Sequence, residues 1–189
     1  MSPSYWNRPS GGATRLIATS GCPHHESYGT GKEAISGCGA LGASGSFTEA
    51  TNQGVSASVP ASPVLKTSYA AGDVECALGT IAYALNGVGI FSGAVDAGCG
   101  QLDVEDADAE WKSFDCCSGH AAPGGNYHYH FPPSCLLAQL DDLSGGHSPQ
   151  VGWALDGFPI YGPAGPGGVE IRNCGASGAD ATYCQDECG

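Results

Sequence analysis

The chain has 189 residues, 41% of them hydrophobic, and its 6 basic and 19 acidic residues give a formal net charge of −13. This length and composition predict one ordinary domain with a sizeable core. An acidic surface repels phosphate backbones and argues against nucleic-acid binding, and no apolar run approaches the length that spans a bilayer.

The 10 cysteines are more than a cytosolic protein of this length usually carries, and they suit a secreted, extracellular one. Because no pair has the C-x-x-C spacing of a zinc ribbon, we expect disulfides rather than thiolate metal sites. Spacing alone does not decide between the possible pairings. The first residues, MSPSYWNRPSGGATRL, lack the apolar core of a signal peptide, which favours a trimmed mature form or an unconventional export route.

The first 14 residues are polar, contain Gly, Pro and Ser, and are predicted to form an N-terminal arm. After them, short runs of strand-forming residues alternate with Gly, Ser, Asn and Pro clusters. The predicted strands are Val55–Val59, Val64–Ser68, Ile81–Leu85, Val88–Phe91, Tyr127–Phe131, Val151–Leu155 and Phe158–Tyr161. Helix is expected only at Asp103–Phe114 and as a short turn at Cys135–Leu143. The pattern predicts an all-β fold, a sandwich or barrel of short strands with long loops, little helix and disulfide staples.

Two segments resemble each other at an offset of 70 residues: IAYALNGVGIFSG at 81–93 and VGWALDGFPIYGP at 151–163. Each is predicted to be a strand, an Asn-Gly or Asp-Gly turn and a second strand, because those dipeptides tolerate the positive φ of a hairpin turn. Such turns are common, so two unrelated hairpins are one interpretation. The other is a pair of equivalent hairpins that face each other in one core.

Between the two hairpins lies GGNYHYHFPPSC, residues 124–135, in which tyrosine and histidine alternate. Strand side chains point alternately to two faces, so Tyr127 and Tyr129 are predicted on one face and His128 and His130 on the other. Imidazoles two residues apart can converge on one ion, whereas the tyrosines would pack on the core. The alternative is a pair of histidines hydrogen-bonded to backbone or carboxylate groups without a metal.

Four of the six histidines, His120, His128, His130 and His147, lie within 28 residues of the chain. Three neutral imidazoles are a sufficient set of protein ligands for copper or zinc, so these four are the predicted metal ligands and one of those ions the predicted cofactor. A carboxylate, Asp156 or Asp115, is a candidate to orient one of the rings.

The stretch SFDCCSGHAAPGGNYHYHFPPSC, followed by GGHSPQVGWALDGFPIYGP, resembles the YHYH-domain family, which is named for this motif. In that family a Gly-His step precedes the motif, a Cys follows it, and a segment ending in DGFPIYGP comes next. The segment at 81–93 is similar to the family's ALNGVPI segment, with Gly89 where Pro is usual. TSGCPHHESYG weakly resembles its early SNGIPDH segment. The resemblance covers about Leu16–Gly165, and the insert SGAVDAGCGQLDVEDADAEWK departs from it.

The resemblance implies a fold and a metal role for the four histidines above, and its weaker early segment adds His25 as a further candidate ligand. The chain is then expected to comprise an arm at 1–14, a YHYH-like β-domain at 15–165 and a Cys-rich C-terminal tail at 166–189. One disulfide, Cys117–Cys135, is predicted, because these cysteines lie on either side of the short tyrosine-histidine unit.

The favoured function is a secreted, disulfide-rich β-domain with a histidine-lined copper or zinc site, and the sequence leaves open whether the domain is an enzyme. The rival is a structural subunit of an extracellular fibre, coat or adhesive, which self-associates when its N-terminal arm adds a strand to a neighbour's sheet. A third hypothesis is a carbohydrate-binding surface formed by Trp153, Phe158 and Tyr161, although aromatic residues in hairpins are more often core.

Overall fold

The computed structural model of the chain describes residues 5–7, 13–25, 48–65, 78–93, 114–140, 145–179, 182 and 184–185. Its elements are β1 (Tyr5–Asn7), β2 (Thr14–Thr19), β3 (Val55–Pro60), β4 (Thr80–Ala84), β5 (Gly89–Phe91), β6 (Gly119–Ala121), β7 (Tyr127–Tyr129), α1 (Ser134–Gln139), β8 (Gln150–Ala154), β9 (Pro159–Tyr161), a 3-10 turn (Pro166–Gly168), β10 (Arg172–Asn173) and β11 (Cys184–Gln185). Strands dominate these elements, so the predicted all-β class with little helix is confirmed. None of the helices in these ranges is long and apolar enough to cross a membrane.

Six strands form one mixed sheet in the order β6-β7-β5-β4-β8-β9. Strands β5 and β7 run parallel, and the other neighbours in this sheet are antiparallel. Strands β1, β2 and β3 form a separate antiparallel sheet, and β10 pairs with β11. The order places β7, which carries Tyr127, His128 and Tyr129, between two partners, so backbone hydrogen bonds fix it on both sides.

The two similar segments form hairpins that are neighbours in the large sheet. Strand β4 pairs with β8, and Tyr83 lies directly opposite Trp153, the residue 70 positions later. Both hairpins have the same register, with an irregularity at the same place in each. Their turns place Gly87 and Gly157 at φ values of 83° and 94°, which favour glycine. The hairpins are therefore related by a local two-fold axis between Tyr83 and Trp153. They are equivalent, as one interpretation predicts, but they lie side by side in one sheet and do not face each other across a core.

Six of the seven predicted strands are present, with ends within two residues of those expected. The strand predicted at Val64–Ser68 is wrong over the part that the structure describes, where Val64 and Leu65 are exposed coil. Pro60 and Pro63 precede them, and proline lacks the N–H that a continuing strand would need. The helix predicted at Asp103–Phe114 lies outside the described residues except for Phe114, which is in a loop.

Part of the predicted N-terminal arm forms strands in the small sheet. Tyr5–Asn7 pairs antiparallel with β2, and β2 itself begins at Thr14. Polar, Gly-rich residues separate these strands, which is why the sequence does not resemble a hairpin here. The described part of the arm is therefore an edge strand of its own chain.

The core of the large sheet lies on the tyrosine face of β7. Tyr127 and Tyr129 are 1% and 0% exposed and meet ring to edge, with centroids 5.6 Å apart. Helix α1 begins directly after Pro133, and its buried Leu136 and Leu137 belong to the same cluster as these rings. The buried cluster comprises Ala84, Val88, Tyr127, Tyr129, Leu136, Leu137 and Val151.

Disulfides connect the loops around this core. Cys117 bonds Cys135, which confirms the predicted bridge across β7, and Cys174 bonds Cys184 beside the β10–β11 pair. Cys116 is also disulfide-bonded, and among the described cysteines only Cys22 carries a free thiol. The described cysteines other than Cys22 thus act as covalent staples, as the number of cysteines indicates.

One arginine joins the small sheet to the β8–β9 hairpin. Arg15 donates from Nη1 to the Pro60 carbonyl and from Nη2 to the Ala61 carbonyl, both at 2.9 Å. Its Cζ lies 3.7 Å from the centroid of the Trp153 ring. The planar, forked guanidinium makes both interactions at once, which an ammonium group cannot reproduce.

We therefore expect Arg15→Lys to lower the free energy of unfolding by about 1–2 kcal/mol, since it loses one hydrogen bond and much of the cation–π contact. Arg172→Lys is the matched control, because its pair with Glu170 is exposed at the surface. Chemical denaturation of both variants measures the difference. Equal stabilities would show that Arg15 does not hold the two sheets together.

Candidate metal centre

Three histidine side chains converge on the face of the large sheet opposite the tyrosines. The Nε2 atom of His128 lies 3.0 Å from Nε2 of His120 and 2.9 Å from Nε2 of His130. His128 is 2% exposed, and the other two are half-buried. A single ion can therefore be reached by three imidazole nitrogens at once.

The sheet itself produces this convergence. His128 lies on β7 and His130 directly follows its last residue, so the two side chains, two residues apart, point to the same face. In the antiparallel β6–β7 pair, His120 lies directly opposite His128 and therefore shares its face. The predicted separation of histidines and tyrosines onto opposite faces is confirmed.

Backbone geometry fixes which nitrogen of the central ring faces the cluster. His128 Nδ1 lies 3.0 Å from the Asn126 carbonyl oxygen. A carbonyl only accepts hydrogen bonds, so Nδ1 carries the hydrogen and the neutral ring presents a lone pair at Nε2. A hydrogen bond of this kind is what a metal-binding histidine normally makes with its second nitrogen.

The arrangement fits a cation better than a set of hydrogen bonds. The lone pair of His128 Nε2 can accept one well-directed N–H bond, yet two imidazole nitrogens lie within 3.0 Å of it. Nitrogens of a tetrahedral zinc site, each about 2.0–2.1 Å from the ion, are separated by roughly 3.3 Å. The observed spacing needs only a small outward movement of the rings to match that value.

Two phenylalanines form the walls of the cluster. Phe91 of β5 stacks on His128 with ring centroids 3.7 Å apart and an interplanar angle of 18°. Phe114 stacks on His130 at 5.1 Å and meets His120 edge-on at 4.8 Å. These rings restrict the imidazoles to their converged orientation and reduce the access of water to the three nitrogens.

A hydrogen-bonded carboxylate lies on the other face of β7. Asp115 is 2% exposed, and its Oδ2 accepts the Tyr127 hydroxyl at 2.8 Å and contacts His25 Nε2 at 2.9 Å. Burial, followed by the nearby Asp115 charge, raises the pKa of Tyr127 far above its ordinary value. Tyr127 therefore stays protonated and acts as a donor to the carboxylate.

The remaining predicted site residues lie elsewhere. His147 donates from Nδ1 to the Ser148 carbonyl at 2.6 Å and packs against Tyr161, and it is not a member of the three-histidine cluster. It precedes β8, and β8 lies three strand positions from β7, which is about 14 Å at the usual strand spacing. Asp156 is exposed in the β8–β9 turn, where it accepts the Phe158 N–H.

A second group of candidate ligand atoms does not offer a metal site in this state. A ring nitrogen of His25 and the sulfurs of Cys117 and Cys135 lie within 4.8 Å of one another. The two sulfurs are joined in a disulfide, so neither is a thiolate, which is the form that binds metals. His25 instead pairs with Asp115.

Sequence reasoning missed the two phenylalanines and the pairing of Asp115 with His25. Phe91 reaches His128 through the parallel β5–β7 pairing, and local sequence does not show which strands pair. The separation of 90 residues between His25 and Asp115 hides their contact in the same way. One sequence signal does point to Phe91. It occupies the position in segment 81–93 that Tyr161 occupies in segment 151–163, which places it in a defined hairpin.

The family model described as YHYH protein matches residues 56–186, which is more than half of the chain. The match includes all three histidines of the cluster and extends beyond Gly165 into the Cys-rich C-terminal segment. No curated protein and no solved structure matches the chain.

Proposed function

This chain belongs to the YHYH protein family, and we propose that its β-domain binds one transition-metal ion through His120, His128 and His130. The observation that carries the proposal is the convergence of three Nε2 atoms around His128, whose lone pair faces the cluster. His147, His25 and Asp156 are not included among the proposed ligands, because their side chains lie in other contacts.

Copper and zinc are the ions we propose. Imidazole nitrogen suits both, and copper(II) stands above zinc in the usual order of affinity for such ligands. A site with three protein nitrogens leaves a position at which a bound ion can take a water molecule or another small ligand. The phenylalanine walls make the surroundings apolar, which strengthens the electrostatic effect of a bound ion.

Extracellular localisation is part of the proposal and is supported by the disulfides. Such bonds persist where the surroundings are oxidising and are rare in the cytosol. The staples at Cys117–Cys135 and Cys174–Cys184 restrain the loops next to the proposed site and the C-terminal segment.

Metal titration tests the proposal directly. Protein purified without a histidine tag and stripped with a chelator should bind about one equivalent of zinc or copper per chain, measured by calorimetry and elemental mass spectrometry. Because protons compete for the imidazole nitrogens, the bound metal should be released as the pH is lowered from about 7.5 to about 5. Less than a tenth of an equivalent at pH 7.5, or binding unaffected by acidification, would contradict the proposal.

A second candidate function is self-association into an extracellular assembly. It is favoured by β1, because the arm forms an edge strand against β2 and the same pairing made with a neighbouring molecule would exchange strands. Light scattering distinguishes such an assembly from a monomer of 19.0 kDa. A carbohydrate site is not proposed, since the Arg15 guanidinium lies over the Trp153 ring.

A further inference from the structure

The loop that leads into β6 is organised around one buried carboxylate. Asp115 Oδ1 accepts the backbone N–H groups of Cys117 at 2.9 Å and Gly119 at 3.3 Å, while its own N–H donates to the Gly119 carbonyl at 2.8 Å. The loop contains Ser118 at a φ of 73°, a conformation that non-glycine residues adopt only when their surroundings impose it. The Asp115 carboxylate imposes this conformation, because it binds the N–H groups of the residues on either side of Ser118.

Both ends of this loop reach the three-histidine cluster. Phe114, immediately before Asp115, contacts the rings of His120 and His130. Gly119, immediately before His120, is paired with Tyr129 of β7. Any movement of the loop would therefore displace a wall of the cluster and one of its ligands together.

Two side chains on the reverse face of β7 hold the carboxylate in place. The Tyr127 hydroxyl and His25 Nε2 contact the same oxygen, Oδ2, at 2.8 and 2.9 Å. Tyr127 adjoins His128 in the strand, and His25 belongs to the segment that follows β2. The contacts thus connect the N-terminal segment to the loop across the back of the proposed metal site.

We propose that Asp115 is a positioning residue of the metal centre: through the loop 114–119 it sets the orientation of the His120 ligand and the Phe114 wall, and His25 and Tyr127 lock its carboxylate. This inference rests on the proposed function. Asp115 does not touch the metal-binding nitrogens in this arrangement, so its effect is on the geometry and affinity of the site and not on the number of ligands.

Cobalt(II) is a suitable probe, because its visible absorption reports ligand geometry independently of protein stability. We expect Asp115→Asn to bind one cobalt ion per chain with about 10-fold weaker affinity and with shifted absorption bands, as is usual when a group that orients ligands is altered. The matched control is Asp156→Asn, the same chemical change at an exposed turn, which should leave affinity and spectrum unchanged.

Two further variants keep the test decisive if Asp115→Asn does not fold. Tyr127→Phe and His25→Gln each alter one contact to Oδ2 and should shift the cobalt spectrum in the same direction, with about 2- to 5-fold weaker binding. A wild-type spectrum and affinity in folded Asp115→Asn, or in both of the other variants, would overturn the inference. Failure of the wild-type protein to bind cobalt, zinc or copper would instead contradict the proposed function.

Discussion

Replacing His130 with alanine should lower zinc affinity by about 100-fold or more, because it removes one of only three protein ligands. The protein should remain folded, since His130 is half-buried and lies on the face of β7 opposite the tyrosine core. Calorimetric titration of the chelator-stripped protein measures the affinity, and a thermal melt of the same sample measures the fold.

His147→Ala is the control for that experiment. It removes an imidazole from the same region of the sequence, yet His147 is engaged with Ser148 and Tyr161. We expect its zinc affinity to equal that of the wild type. If both alanine variants bind zinc as the wild type does, the convergence of the three rings has no role in metal binding.

Replacing Tyr129 with alanine should cost about 3–5 kcal/mol of folding free energy, because it opens a cavity in the centre of the core. Tyr129 is fully buried, and its hydroxyl accepts a 2.9 Å hydrogen bond from Asn86 Nδ2. The matched control is Tyr161→Ala on β9, where the ring is 49% exposed and the cost should be well below 2 kcal/mol. Urea denaturation gives both values, and equal costs would refute the assignment of Tyr129 to the core.

Because Tyr129 is buried, we expect the stability of the fold to decrease at alkaline pH. Burial raises the pKa of Tyr129 to about 12, above the ordinary tyrosine pKa of about 10, and the Asn86 hydrogen bond opposes part of this rise. Below pH 10 the hydroxyl is protonated in both states, so its contribution is fully present. Between pH 10 and 12 the unfolded state releases the proton first, so Tyr129 alone should lower the stability by roughly 2–3 kcal/mol. Denaturation across this range tests the loss, which should be smaller in Tyr129→Phe.

The alternation of two residue types across β7 could be predicted because it depends only on the pleat of a single strand. His120 was predicted to join His128 and His130 because it is close to them in the sequence. It does lie with them, because β6 is the antiparallel neighbour of β7. β6 itself was not predicted, since three residues, Gly-His-Ala, carry little strand propensity and are fixed by their partner.

The sequence did not reveal which distant strands pair with each other in the sheet. The parallel placement of β5 beside β7 brings Phe91 onto His128, and the β4 and β5 strands separate His147 from the cluster. Pairing order depends on the packing of the whole sheet rather than on local propensity. The contact between His25 and Asp115 has the same origin, because it joins segments from different sheets.

The local two-fold axis makes the outer edges of β5 and β9 equivalent, yet the two edges have different neighbours in the sheet. In each hairpin the last residue of the first strand, Ala84 or Ala154, donates to the carbonyl just before the second strand. At the next pair the backbone of Gly89 or Pro159 therefore faces outward. Beside Gly89 the edge is occupied by β7. Strand β9 is the last strand of the sheet among the described residues, and at Pro159 its outward donor is missing, which hinders pairing with another molecule. Polymerisation of this protein through β9 is therefore disfavoured, even at high protein concentration.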